Sequence, residues 1–230
     1  TPKTAHRALY SDLLNPSIAQ NEYRQLSGVL SKVAEVGCVK DLLTKFLDNI
    51  LERQSLIGKI CISEGVTNYF DMLMQMPSAE LARVLIEGLP SRMDTLTAFL
   101  NEDHYALFPL YNFYFTRDAS VTIGNHALIC RMANKVRMRE SLIMEAIYKG
   151  SGEFQCGIIN AHNFQPGNKD IYMEGGDILI AREDILLIGN GVRTSTQGID
   201  MLVSQLCHIA PQGQKHIIVQ QLPSTPESFI

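Results

Sequence analysis

Two short acidic motifs, Phe115-Thr116-Arg117-Asp118 and Glu174-Gly175-Gly176-Asp177, each stand beside apolar, strand-like sequence. Carboxylates held at strand ends suit a cationic, fork-shaped ligand. A guanidinium presents five N–H donors in one plane and favours bidentate carboxylate partners, so Asp118 and Glu174 read as two sides of a clamp on such a group. No obvious nucleophile stands beside them. Cys207-His208 offers suitable residue types, but neighbours on a helix point about 100° apart, so a structural role is the stronger reading. Cys38, Cys61, Cys130 and Cys156 lie in apolar or loop contexts without an adjacent base. Gly175-Gly176 reads equally as a plain turn or as a close backbone approach to a ligand, and Asp177 as a cap on the following hairpin. Arg137 and Arg139, at a helix start, read from the residues alone as partners of Glu140 or Glu145 on a solvated face.

These residues need elements to position them. From about Ile18 to Leu100 the apolar spacing is helical: Tyr23, Leu26, Val29, Leu30 and Val33 form one stripe, and Leu42, Leu43, Phe46, Leu47, Ile50 and Leu51 another. A compact helical bundle is expected, with Ser78 as an N-cap and Gly88-x-Pro90 ending that helix. Tyr69-Phe70 belongs to its core, and Met72, Met74 and Met76 fill irregular space. After Leu100 the texture changes. The run Tyr111–Thr116 suits a pleated surface, and Val121–Ile123 turns through Gly124-Asn125 into Ala127–Cys130. A helix from about Asn134 to Tyr148 comes next, with Val136, Ile143, Ala146 and Ile147 on its buried side. A second hairpin, Ile178–Ala181 with Ile185–Ile188, leads to a helix from about Thr196 to Cys207 and a strand from His216 to Gln220. The order hairpin, helix, strand occurs twice, which suggests repeated α/β modules of a propeller-like assembly.

Composition narrows the function classes. The 230 residues are 46% hydrophobic and 19% charged, enough to bury a substantial core. A net charge of -4 without a Lys/Arg run argues against nucleic acid and leaves a small molecule as the default partner. Five cysteines without C-x-x-C spacing suggest reduced, mostly buried thiols, hence the cytoplasm. No apolar run approaches the roughly eighteen residues that a membrane span needs, and Thr1-Pro2-Lys3-Thr4 does not begin a signal peptide. Thr1 in place of Met points to a trimmed chain. No cofactor or metal site is expected, and a homo-oligomer stays open.

Five stretches taken together resemble the arginine deiminase family: Asn112-x-x-Phe115-Thr116-Arg117-Asp118, Ile123-Gly124-Asn125, Arg137-x-Arg139-Glu140, Glu174-Gly175-Gly176-Asp177 and Gly189-Asn190-Gly191-Val192-Arg193-Thr194-Ser195. The resemblance implies the pentein fold, an α/β propeller of five ββαβ modules, with a helical bundle inserted near the first. Residues 1–37 would then be part of the first module, 38–104 the inserted bundle, and 105–230 about two further modules. Asp118 and Glu174 match the catalytic carboxylates that grip the substrate guanidinium, while Asn112, Arg137 and Arg193 match positions holding the amino-acid end of L-arginine. In the family a cysteine thiolate attacks the guanidinium carbon, ammonia leaves, and water hydrolyses the covalent amidino intermediate to citrulline, with a histidine moving the protons.

The family's H-x-D histidine and its Gly-rich cysteine motif have no match here, and Ser228-Phe229-Ile230 resembles the segment just before H-x-D. The chain by itself is therefore expected to be inactive. Two other readings stand beside the deiminase: a non-catalytic binding or assembly protein on the same scaffold, and a related amidinotransferase or agmatine-type deiminase. Arg137 with Arg193 favours a substrate that bears a carboxylate.

Overall fold

A computed structural model describes residues 15–100, 104–164, 170–209 and 216–224. The expectations attached to Thr1–Thr4 and to Ser228-Phe229-Ile230 lie outside the described residues. The first half is helical: α1 (Pro16–Leu30), α2 (Val39–Leu47), α3 (Ile50–Glu64), α4 (Phe70–Gln75), α5 (Ser78–Glu87) and α6 (Leu96–Leu100). Asn49 caps α3 by accepting from the Leu51 and Glu52 N–H groups at 3.1 and 3.4 Å, and Gly65, at φ 72°, closes its far end. Leu43, Phe46 and Leu47 of α2, Ile57 and Ile60 of α3, and Leu81 and Leu85 of α5 are buried together. Tyr69, Phe70, Met72, Met74 and Met76 are partly buried against that core.

Three helical expectations are corrected. Ser78 is the first helical residue, with Pro77 before it and no side-chain cap bond. Ile50 and Leu51, in the first turn of α3, are exposed: Leu51 points away from Ile57 and Ile60, whereas Ile50 shares the face of Ile57 but the packing stops short of it. The stripe on α1 also forms as a helix, but Tyr23, Leu26, Val29 and Val33 face solvent among the described residues. Periodicity specifies a face and is silent on what the face meets. For the packed helices, Ile57→Ala is expected to cost about 2–5 kcal/mol, read as a lower urea midpoint. Ile62→Ala, on the exposed side of the same helix, should stay within about 0.5 kcal/mol of wild type. Equal effects would mean that α3 packs in another orientation.

Strands β1 (Leu89–Pro90) and β2 (Tyr105–Leu107) pair antiparallel and join the helices to the α/β half of the chain. That half contains α7 (Thr116–Ala119), β3 (Ser120–Ile123), β4 (His126–Ile129), α8 (Met138–Gly150), β5 (Gly157–Asn160), β6 (Ile178–Arg182), β7 (Ile185–Asn190), α9 (Thr196–Ile209) and β8 (His216–Gln221). In the sheet β3-β4-β5 the first pair is antiparallel and the second parallel; β6-β7-β8 repeats this order and these directions. The chain is thus mixed α/β, with two ββαβ units in three-stranded sheets. A helix crossing between parallel strands is what that connection needs. One run departs from expectation: Tyr111–Phe115 turns instead of extending. The Phe113 N–H donates to the Leu110 carbonyl at 3.4 Å and the Phe115 N–H to that of Asn112 at 3.0 Å, so Phe113 is buried while Tyr114 and Phe115 are exposed. Tertiary packing overrides aromatic strand propensity here.

Candidate functional site

The two acidic motifs touch each other. Thr116-Arg117-Asp118-Ala119 forms the one-turn helix α7, which hands the chain directly into β3, and Gly175-Gly176-Asp177 is a 3-10 turn that hands it into β6. A Cβ on Gly175 would lie 2.1 Å from the Arg117 carbonyl oxygen and 3.0 Å from the Val121 Cβ; one on Gly176 would lie 2.5 Å from Asp118 Oδ1. Both glycines therefore permit close backbone approach, and what approaches is the first motif. Arg117 locks the contact by donating from Nη2 to the Ile178 carbonyl at 2.6 Å.

Arg137 fills the junction. It ends a 3-10 turn, Lys135–Arg137, that Asn134 caps by accepting from the Val136 N–H at 3.1 Å. Its Nη1 donates to Asp118 Oδ2 at 2.9 Å and to Glu174 Oε2 at 3.3 Å. Its Nε and Nη2 meet Glu140, with Nη2 to Oε2 at 2.8 Å. The pairing with Glu140 read from the residues is present, but it is buried: Glu140 is 1% exposed and Glu174 3%. Glu145 turns instead to Lys149 and Lys59. Asn112 is buried and lines a cavity with Arg137 and Glu140. Arg193 is half-buried in the turn after β7, and its charge acts on Glu174 and Asp177.

Two residues quoted only as motif letters turn out to hold Glu174 in place. Thr194 Oγ1 accepts from the Glu174 N–H at 3.2 Å and donates to Asp177 Oδ2 at 2.6 Å, so Asp177 ties a turn to its neighbour. Ser195 Oγ caps α9 through the Gly198 N–H at 3.1 Å and binds the Tyr172 backbone. Glu140, the third carboxylate on Arg137, had one sequence signal, its i,i+3 spacing.

Charge density dominates the site. Burial pushes the Glu174 carboxyl up to about 7, against the opposing charges of Arg137 and Arg193, and the charge of Asp118 adds to the rise. Glu140 is also raised by burial, although its bonds to Arg137 oppose this. Burial alone would lower Arg137, but Glu140, Glu174 and Asp118 together carry it above its ordinary value. Formally four carboxylates, Asp118, Glu140, Glu174 and Asp177, face two guanidinium groups, so the cluster favours a further cation. Burial, then Glu174 and Asp118, push the nearby Cys130 thiol well up, so it is no thiolate nucleophile. All five cysteines are free. Cys61 and Cys130 are buried, whereas Cys38 and Cys207 are exposed, against the expectation of mostly buried thiols. Among the described residues no His/Cys/Asp/Glu group could hold a metal, and no helix is long and apolar enough to cross a membrane.

A family model described as arginine deiminase matches residues 6–229, a wider span than the 112–195 stretch of the motifs. The chain belongs to the arginine deiminase family. Among curated relatives, an arginine deiminase of Listeria monocytogenes is 27% identical over 98% of this chain and 57% of its own length. One of Listeria innocua is 27% identical over 98% and 58%. This family member thus spans a little over half the length of these relatives. Among solved structures, a DDAH from Pseudomonas aeruginosa complexed with citrulline is 21% identical, with a TM-score of 0.39, over 62% of this chain and 58% of that one.

Proposed function

We propose that this chain supplies the guanidinium grip of an arginine deiminase that hydrolyses L-arginine to citrulline and ammonia. Asp118 and Glu174 take the guanidinium, and Asn112, Arg137 and Arg193 the amino-acid end. The observation that carries this reading is the Arg137 side chain itself, because Asp118 and Glu174 already hold one guanidinium nitrogen between them at 2.9 and 3.3 Å. A substrate guanidinium entering there takes over the two carboxylates, and the Arg137 guanidinium, a rigid plane, swings as a whole toward the substrate carboxylate. Two preorganised carboxylates fix the planar carbon for attack, and a buried site strengthens each contact. On this reading the attacking cysteine and the proton-moving histidine lie outside these 230 residues. The two ββαβ units belong to a pentein propeller, with residues 38–104 as its inserted bundle.

Full-length protein is expected to release citrulline from L-arginine. Tight guanidinium binding without citrulline would sink the enzyme in favour of the binding protein. Arg193→Ala should raise KM for L-arginine far more than for agmatine, its decarboxylated analogue; equal effects would remove Arg193 from the carboxylate.

Glu174 adds a pH dependence. Guanidinium binding needs the ionised carboxylate, so affinity for n-propylguanidine should rise about five- to tenfold from about pH 6 to about pH 8, and Glu174→Gln should flatten the profile. Stability runs the other way. A carboxyl raised in the folded state contributes stability that is fully present below its unfolded value near 4.3, and this is lost as pH climbs through about 7. A wild-type binding profile that is flat over this range would exclude Glu174 from the grip.

A further inference from the structure

Among the described residues Arg139 is the largest side chain that is fully buried, at 2% exposure. It lies in the first turn of α8, two residues past Arg137 and next to Glu140. Successive helical residues turn by about 100°, so Arg137 and Glu140 share the side toward the clamp, while Arg139 points roughly opposite to Arg137, toward the helical half of the chain. There its Nη2 donates to the Phe108 carbonyl, in the segment after β2, and Glu64 Oε1 at the end of α3 stands 3.6 Å from its Nε. A cavity of about 260 Å³ borders the same turn, lined by Glu64, Phe108, Arg137, Arg139 and Glu140 among others. Close packing therefore does not hold the turn on that side, and the contacts of Arg139 do.

Burying a guanidinium costs several kcal/mol, and an apolar side chain of similar volume would fill the space without that cost. Arg139 stays charged even so: its Nε and Nη1 have no hydrogen-bond partner among the described residues, and burial pulls it down to about 10 against the charges of Glu64 and Glu140. The charge has a recipient. Burial raises Glu140, and Arg137 first, then Arg139, oppose that rise and favour the ionised form that holds Arg137. Arg53 shows what a buried arginine does without such a recipient. Its Nη2 donates to the Leu73 and Met76 carbonyls at the end of α4, wholly within the helical half, where it closes a helix.

We propose that Arg139 is a positioning residue for the guanidinium grip: tied to Glu64 and Phe108, it fixes the first turn of α8 and, through Glu140, sets where Arg137 stands against Asp118 and Glu174. The role rests on the grip assigned above and gives the helical half of the chain a direct hold on it. Arg139 itself touches no substrate.

The test uses full-length protein and n-propylguanidine, which engages the grip and has no amino-acid end. The charge of Arg137 holds Glu174 down, together with Arg193 and against burial and Asp118. When Arg137 loosens, Glu174 rises, so Arg139→Met should move the binding profile to higher pH by about half a pH unit or more. Arg139→Lys, which keeps the charge and loses the fork, should move it less. Glu64→Gln should move it in the same direction with little risk to folding, since that side chain is 25% exposed. Arg53→Met is the control: it should lower the thermal midpoint and leave the profile in place. A second readout needs no ligand. The Arg137 Nε–H donates to both Glu140 oxygens at 3.1 and 3.2 Å, and its exchange with solvent, followed by NMR, should quicken about tenfold or more in Arg139→Met. An unmoved profile and unmoved exchange in Glu64→Gln and in any folded Arg139 variant overturn the proposal and leave the grip intact, as does an equal response to Arg53→Met. If wild type fails to bind n-propylguanidine while the Arg137 exchange still responds to Arg139, the grip falls and the positioning of Arg137 stands.

Discussion

Asp118→Asn in the full-length protein is expected to lower kcat/KM for L-arginine by about 10²–10³, the scale of losing one preorganised electrostatic contact in a buried site. The carboxylate lies 2.9 Å from a guanidinium nitrogen and is buried, so its charge acts with little solvent screening. The amide keeps the shape and can still accept one bond, and Arg137 keeps its paired contacts with Glu140, so the fold should survive. A second readout separates ligand grip from mere scaffolding. The charge of Asp118 helps to raise Glu174, so removing it should move the pH profile for n-propylguanidine to lower pH. Wild-type turnover with an unmoved profile would take Asp118 out of the site.

Gly175→Ala should be nearly as damaging by a different route. Its new Cβ would sit 2.1 Å from the Arg117 carbonyl oxygen, an atom of the backbone that carries Asp118, and 3.0 Å from the Val121 Cβ. Neither can swing aside as a long side chain would, so the two motifs must separate. Overpacking of this kind costs about 1–3 kcal/mol, and the displaced carboxylates should lower turnover by about a hundredfold, as a misplacement near 1 Å does. Gly124→Ala is the control. That glycine turns the β3-β4 hairpin at φ 56° with nothing within 4 Å of a new Cβ, so it should cost about 1 kcal/mol and leave turnover intact. Thermal midpoints and citrulline release on both variants decide the matter; near-normal activity in Gly175→Ala would refute the close packing of the motifs.

Much of the chain is legible because its signals are local. Val121–Ile123, Gly124-Asn125 and Ala127–Ile129 spell a hairpin within ten residues, and the pattern returns at Ile178–Ile188, so both hairpins can be read from turn chemistry and apolar spacing, whereas β5, which closes the first unit, carried no such signal. The helices α2 to α5 announce themselves the same way. Tyr111–Thr116 misleads because aromatic content reports a preference for a half-buried surface and leaves the backbone path open. The stripe on α1 reads correctly as a helix and wrongly as bundle core, since a stripe does not name its partner.

By itself the sequence determined the two hairpins and the helix after each, the two acidic motifs and the residue types able to hold a guanidinium. Only the tertiary structure decided that Asp118, Glu140 and Glu174 converge on Arg137, and that Gly175 and Gly176 serve the contact between the motifs. The reason is range. Caps, turns and periodic faces are set by neighbours a few residues apart, whereas Arg137 lies 19 residues from Asp118 and 37 from Glu174. Which buried charge meets which is settled by packing, where desolvation forces each ionised group to find a partner wherever the fold places one.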